Sequence, residues 1–263
     1  MPLARRPGYS RIHATIDPML TLVLTRHGAT ARSEPEQHLG QRLDLPLSEV
    51  GRSAARALGG RLVGVRFDRV ISSPLRRALE TASLVVPNAS VEADARLTEM
   101  DYGRWEGRTY AEIDATDAAA RRRWEDDPAA LPCPDGESGE QVAQRVRALL
   151  DDLLAWAAAT DPVCRPEEAG DGPRPPAARA ATSGEWPGLA VERRVLAVAH
   201  STTNRILLAV ALWVPIRDYR RRFVQAPANL TVLRFRGALD DGARLLVGND
   251  VSHIRGLRGE TWG

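Results

Sequence analysis

Six short apolar runs punctuate the chain, at residues 20–25, 68–72, 90–93, 194–199, 230–235 and 243–247, each bounded by polar or charged positions. Runs of that length with such flanks predict buried strands. The segments between them carry apolar residues at helical spacing. One opens at Ser48 with Gly51 and extends to about Gly64. A second begins at Pro74, a first-turn position that tolerates proline, and extends to about Val86. Tyr110 to Asp126 is a third. Ser138 to Ala159 is a long amphipathic helix with Val142, Val146, Leu149, Leu150, Leu153 and Leu154 on one side. Thr203 to Trp213 follows the fourth strand directly. Strands alternating with helices predict an α/β fold, a three-layer α/β/α sandwich around a mostly parallel central sheet.

Two segments stand outside that alternation. Residues 1–18 are polar and basic and read as a flexible N-terminal tail. Residues 160–192 are rich in Pro, Ala and Gly and read as an insertion within a single domain spanning 19–263. No internal repeat is visible.

Composition narrows the function classes. At 263 residues, 43% hydrophobic and 27% charged, the chain can bury a full core in one domain. All 36 basic residues are Arg, so Schiff-base and P-loop lysine chemistry are excluded. With 34 acids in opposition the net charge is only +2, which does not point to nucleic acid. Arg121-Arg122-Arg123 and Arg220-Arg221-Arg222 read as solvated helix faces. No apolar run approaches the ~20 residues of a membrane span, and the first 18 residues lack the apolar region of a secretory signal. The expectation is a cytoplasmic enzyme without membrane contact. Cys133 and Cys164 form no metal-type cluster, so neither metal nor cofactor is expected. Leu207 to Ile216 is apolar enough for a buried helix, and a homo-oligomer contact stays open.

The chemistry sits at strand tips. Leu20-Thr21-Leu22-Val23-Leu24 runs into Thr25-Arg26-His27-Gly28, a cation, an imidazole and a glycine in succession. Imidazole is a nucleophile, and a guanidinium matches phosphate oxygens. Val195-Leu196-Ala197-Val198-Ala199 ends likewise in His200. In an open α/β sheet ligands bind at the carboxyl ends of strands, so the fold can bring the two histidines together. Helices starting at Thr30 or beyond and near Thr202 would aim backbone N–H groups at a dianion.

Two further stretches complete a set: Ile71-Ser72-Ser73-Pro74-Leu75-Arg76-Arg77-Ala78-Leu79-Glu80-Thr81-Ala82, and Leu97-Thr98-Glu99-Met100-Asp101-Tyr102-Gly103-Arg104-Trp105-Glu106-Gly107. With Leu24-Thr25-Arg26-His27-Gly28 and the His200 strand, in this order, they resemble the histidine phosphatase superfamily, the phosphoglycerate-mutase-like group. The resemblance covers roughly residues 20 to 250. It implies that His27 is transiently phosphorylated. Arg26, Arg77 and His200 would hold the phosphoryl oxygens, with Arg77 preferred to Arg76 because the motif reads Leu-x-Arg-Ala. Glu99 would be the general acid, with Asp101 and Glu106 as rivals and Glu106 the better candidate for bracing the loop. Ser33 and Ser201 would flank the bound phosphate. His27 must be neutral to attack whereas His200 helps more when protonated, so their environments should push the two apart.

The motifs also depart from the family's common form. Ala29 and Ser33 stand where many members have Glu and Asn, Gly40-Gln41 where many have Gln-Gly, and Ser201-Thr202 where many have Gly-Gly. These positions flank the pocket and bear on the substrate. Met100 to Gly107 looks like the phosphatase branch. The implied activity is therefore a metal-independent phosphatase acting on a small-molecule phosphate ester. The alternatives are a phosphoglycerate-mutase-type phosphotransferase and a non-catalytic phosphate-binding module. A Rossmann cofactor domain is excluded, since no Gly-x-Gly-x-x-Gly follows the first strand.

Overall fold

A computed structural model describes residues 19–33, 37–159 and 192–255. The expected tail, all of the insertion but its last residue, and Cys164 lie outside the described residues. Glu192 is already the first residue of a strand.

The first strand, β1 (Met19–Arg26), alternates its side chains between two apolar layers. Leu20, Leu22 and Leu24 enter one core cluster, Val23 the other. Such two-sided burial is why a strand of this kind reads as an unbroken apolar run. The same holds for β4 (Glu192–Ala199): Val195, Ala197 and Ala199 join the first cluster, Leu196 and Val198 the second. The remaining strands are β2 (Arg69–Ser72), β3 (Val91–Ala93), β5 (Leu230–Arg236) and β6 (Ala243–Asp250). They assemble in the order β3-β2-β4-β1-β5-β6. β1 is parallel to β4, β4 to β2 and β2 to β3, whereas β5 runs against both β1 and β6. The sheet is thus mostly parallel, and the carboxyl ends of β1, β2 and β4 share one edge.

Helices cover both faces. α1 (Glu49–Arg61) and α2 (Arg76–Val85) pack on one through Ala55, Leu58, Ala78 and Ala82. On the other lie α3 (Tyr110–Asp126), α4 (Gly139–Ala159) and α5 (Ser201–Ala211), with the single-turn α6 (Tyr219–Arg222) beside them. None of the six α-helices among the described residues is long and apolar enough to cross a membrane.

Three local expectations are corrected. Pro74 lies outside α2, because Leu75 is the capping residue and the N–H of Arg76 is taken by Asp44 Oδ1 at 2.7 Å. α5 begins at Ser201, two residues early, since His200 itself is the cap. No helix starts at Thr30. The chain instead turns there, Thr30 N donating to Ser33 Oγ at 2.9 Å, and Thr30 bridges to Leu47. The helix that reaches this point is α1, whose capping Ser48 donates its N–H to Ala29 O at 2.9 Å. Gly28 is required here: a Cβ on it would lie 2.5 Å from the carbonyl oxygen of Gly51.

Candidate active site

His27 leaves the sheet at the end of β1, fastened by its N–H to Ala199 O on the neighbouring strand at 2.9 Å. Its Nδ1 lies 2.7 Å from the carbonyl oxygen of Gly28. A carbonyl only accepts, so Nδ1 carries the proton and Nε2 keeps the lone pair. The turn is held in its own right, because Gly28 N donates to Thr81 Oγ1 at 3.0 Å and Thr81 Oγ1 donates to Arg77 O at 2.7 Å. That explains the Thr of the second motif: it ties the α2 segment to the nucleophile turn.

His200 stands 5.1 Å from His27, centroid to centroid. Its Nδ1 accepts from Arg77 Nε at 3.2 Å and its Nε2 donates to Ser73 Oγ at 2.7 Å. Both histidines are held well below the ordinary imidazole range. Burial is the main cause, followed for His27 by the charges of Arg77 and Arg26, and for His200 by Arg77 and His27. The expectation that one would be charged is therefore corrected: a buried imidazole that accepts from a guanidinium stays neutral.

Arg77 is fully buried. Besides His200 it reaches Leu43 O from Nη1 at 3.0 Å, and Leu39 O and Gly40 O from Nη2 at 3.3 and 2.8 Å. A guanidinium has five N–H groups, so a single one, on Nη1, is left for a phosphoryl oxygen. Arg77 thus supplies charge and positions His200 rather than offering a two-pronged fork. Its pKa is lowered, chiefly by burial. Arg26 is half-buried, with Nη1 on Gln225 O at 3.0 Å and its backbone N–H on Asn229 Oδ1 at 3.0 Å.

Glu99 is buried at the amino end of α5. Oε2 accepts from Thr202 N at 3.1 Å, while Oε1 accepts from Thr203 N at 3.1 Å and Met100 N at 2.9 Å. These helix N–H groups, expected to face a dianion, thus serve the carboxyl group of Glu99. Asp101 is turned aside, bonded to Gly103 N at 2.7 Å and paired with Arg42 at 3.4 Å. Glu106 braces the loop through Gln41 N at 2.7 Å and Arg42 N at 2.9 Å. One cleft is lined by Arg26, His27, Ser33, Glu99 and Ser201, while buried Arg77 and His200 support it from behind. Among the described residues, no group of three or more His, Cys, Asp or Glu is placed to hold a metal ion.

A profile of the histidine phosphatase superfamily (branch 1) matches residues 22–164, more than half of the chain. The chain belongs to this superfamily. Glucosyl-3-phosphoglycerate phosphatase of Mycobacterium tuberculosis is 39% identical over 148 residues, covering 54% of this chain and 65% of that protein. The chain thus spans just under two thirds of that relative's length. The Mycolicibacterium vanbaalenii protein of the same name is 31% identical over 200 residues, 75% of this chain and 76% of the relative. Fructose-2,6-bisphosphatase TIGAR of Xenopus tropicalis is 36% identical over 138 residues, half of this chain and 49% of that protein. Among solved structures, mycobacterial glucosyl-3-phosphoglycerate phosphatase in complex with VO3 superposes with a TM-score of 0.66 at 32% identity, covering 87% of this chain and 98% of the other.

In this member of the superfamily the cleft continues beyond the residues the motifs supply. Arg32, Gln37, His38, Leu39, Tyr102, Tyr110, Trp124, Thr202, Arg205 and Arg220 complete its lining. Of the aromatic residues in the helical region, Tyr110 and Trp124 reach the cleft. Trp105 packs beneath, edge-on to Trp124 at 5.7 Å, and Trp156 lies under Arg69 and Arg193 elsewhere. The reading of the two Arg clusters as solvated faces holds for Arg122, Arg123, Arg221 and Arg222, which are exposed, and is corrected for one residue of each. Arg121 is paired with Asp114 and Glu125, and Arg220 lies 4.5 Å over the Trp124 ring.

The lowered pKa of His27 sets a pH dependence. Protonation would remove the Nε2 lone pair, and that event lies well below the ordinary imidazole value of 6.5. kcat/KM for an aryl phosphate should therefore show no acid limb near pH 6.5 once corrected for the ester's own ionisation. An acid limb at 6.5 would contradict this environment.

Proposed function

We propose that this chain is a metal-independent phosphatase that hydrolyses a small-molecule phosphomonoester through a phosphohistidine on Nε2 of His27. One observation carries the reading: the Nδ1–Gly28 hydrogen bond leaves Nε2 as the only lone pair, in a cleft with Arg26 and Glu99. The Nε2 lone pair forms the N–P bond as the ester P–O bond breaks, and Glu99 delivers a proton to the departing alkoxide. Glu99, now a carboxylate, takes a proton from water whose oxygen attacks phosphorus. The P–N bond then breaks, phosphate leaves, and His27 is restored. Positive charge from Arg26 and Arg77 offsets the charge spread over the phosphoryl oxygens, as preorganised cations do in phosphoryl transfer. Two of the relatives support this reading, being named glucosyl-3-phosphoglycerate phosphatase and fructose-2,6-bisphosphatase.

The direct test is p-nitrophenyl phosphate with the protein dialysed against a strong chelator. Turnover should survive chelation and be inhibited by vanadate; activity lost to the chelator and restored by Mg²⁺ or Zn²⁺ would defeat the proposal.

Glu99→Gln separates the proton's role from mere positioning. The amide retains the shape but offers no acidic proton. Hydrolysis of an alkyl phosphate should fall by on the order of a hundredfold or more, whereas phosphorylation of His27 by the nitrophenyl ester, whose leaving group needs no proton, should fall far less. Equal slowing of phosphorylation by both esters would assign Glu99 a positioning role.

A further inference from the structure

The far end of the cleft is built by α3, α5 and α6, and three of its N–H donors lack an acceptor. Arg205 stands one turn beyond Ser201 on α5, so both face the cleft. Among the described residues Arg205 makes no ion pair, and its buried Nε has no hydrogen-bond partner. Arg220, on α6, donates from Nη2 to Tyr110 Oη at a long 3.4 Å, and its buried Nη1 is likewise without a hydrogen bond. Its nearest carboxylate, Glu125, lies 4.0 Å away and is already bonded to Arg121 at 2.9 Å. Trp124 is 3% exposed, and its Nε1 also lacks a hydrogen-bond partner. Indole and guanidinium N–H groups cannot accept, so the three groups together call for an acceptor-only ligand.

Charge points the same way. The cleft lining carries Arg26, Arg32, Arg205 and Arg220 against the single carboxylate of Glu99. Transfer of one phosphoryl group calls on the cations beside His27. It leaves those at the far end without a task. Asp101, which would repel a second anion if it faced the cleft, is held away by Arg42 and Gly103 N.

We infer that the substrate carries a second oxyanion, a carboxylate or another phosphate, bound at the far end of the cleft by Arg205, Arg220 and the indole N–H of Trp124. The inference rests on the phosphatase reading and specifies the substrate class for that site. It makes Arg205 and Arg220 specificity determinants.

Three esters on one carbon skeleton test it: glycerol 3-phosphate, 3-phosphoglycerate and 2,3-bisphosphoglycerate, with p-nitrophenyl phosphate as a benchmark for the chemical step. The native protein should favour at least one of the two esters that carry a further oxyanion over glycerol 3-phosphate by tenfold or more in kcat/KM. A preference for 3-phosphoglycerate shows that a carboxylate suffices at the far end; a further gain with 2,3-bisphosphoglycerate, which keeps that carboxylate and adds a phosphate, assigns the far end to the phosphate. In Arg205→Ala and in Arg220→Ala that ratio should fall towards one, while Arg205→Lys, which restores a charge, should recover part of it. A ratio within one preparation does not depend on the fraction folded. Turnover of p-nitrophenyl phosphate with no preference among the three esters would overturn this inference alone. So would a preference that survives both alanine variants. Failure to hydrolyse any ester, the benchmark included, would overturn the phosphatase reading and this inference with it.

Discussion

His27→Ala removes turnover of every phosphate ester, by on the order of 10⁴-fold or more, because it removes the Nε2 lone pair that takes the phosphoryl group. His200 cannot substitute: its Nδ1 is occupied by Arg77 Nε and its Nε2 carries the proton given to Ser73. The fold survives, since the backbone bond from residue 27 to Ala199 O needs no side chain. The variant even gains an advantage in acid. A histidine whose folded pKa lies below its unfolded value opposes folding increasingly as pH falls through that interval. Removing it should flatten the loss of stability below pH 6.5. Residual turnover within tenfold of the parent, in a protein with an unchanged thermal transition, would refute the assignment of the nucleophile.

Arg77→Ala should cost both activity and stability. The guanidinium ties Leu39, Gly40 and Leu43 to α2 and fixes His200, so its loss strands three carbonyl oxygens around a buried hole. Each unsatisfied group costs about 1–3 kcal/mol, so a loss on the order of 3–5 kcal/mol after relaxation is expected. Turnover should fall by roughly a hundredfold or more through the lost charge and the released His200. Arg77→Lys should not rescue either property, because one ammonium cannot span the four acceptors. Arg76→Ala is the control. Its side chain is exposed and pairs with Glu80, so thermal midpoint and kcat should stay near those of the parent. Loss in the Arg76 variant with a near-normal Arg77 variant would reverse the choice between neighbours.

The two kinds of information in the sequence reach different depths. β1 and β4 are buried on both faces, so their composition alone marks them. Helix starts are less visible where the partner comes from afar. Asp44 takes the first N–H of α2 and Glu99 takes two at the start of α5, and neither is a local capping signal. The site shows the same division. Arg26-His27-Gly28, Arg77, Glu99 and His200 belong to compact motifs, and the structure gathers them at one edge of the sheet.

The rest of the cleft comes from single residues scattered over separate elements. Arg205 looks like one polar position in an apolar helix, Arg220 like part of a solvated triplet, and Trp124 like core. Only packing of α3, α5 and α6 makes them neighbours. Protonation is equally a tertiary property: the histidines read as an acid–base pair, but shared burial beside Arg77 leaves both neutral.

The phosphohistidine itself is the most direct measurement. Glu99→Gln protein mixed briefly with labelled p-nitrophenyl phosphate and quenched in base should retain about one phosphoryl group per chain. The label should be stable to alkali, lost in acid, and found by peptide mass spectrometry on His27, with two-dimensional NMR showing attachment at Nε2 rather than Nδ1. Label on Ser72, Ser73 or His200, or on Nδ1 of His27, would contradict the account.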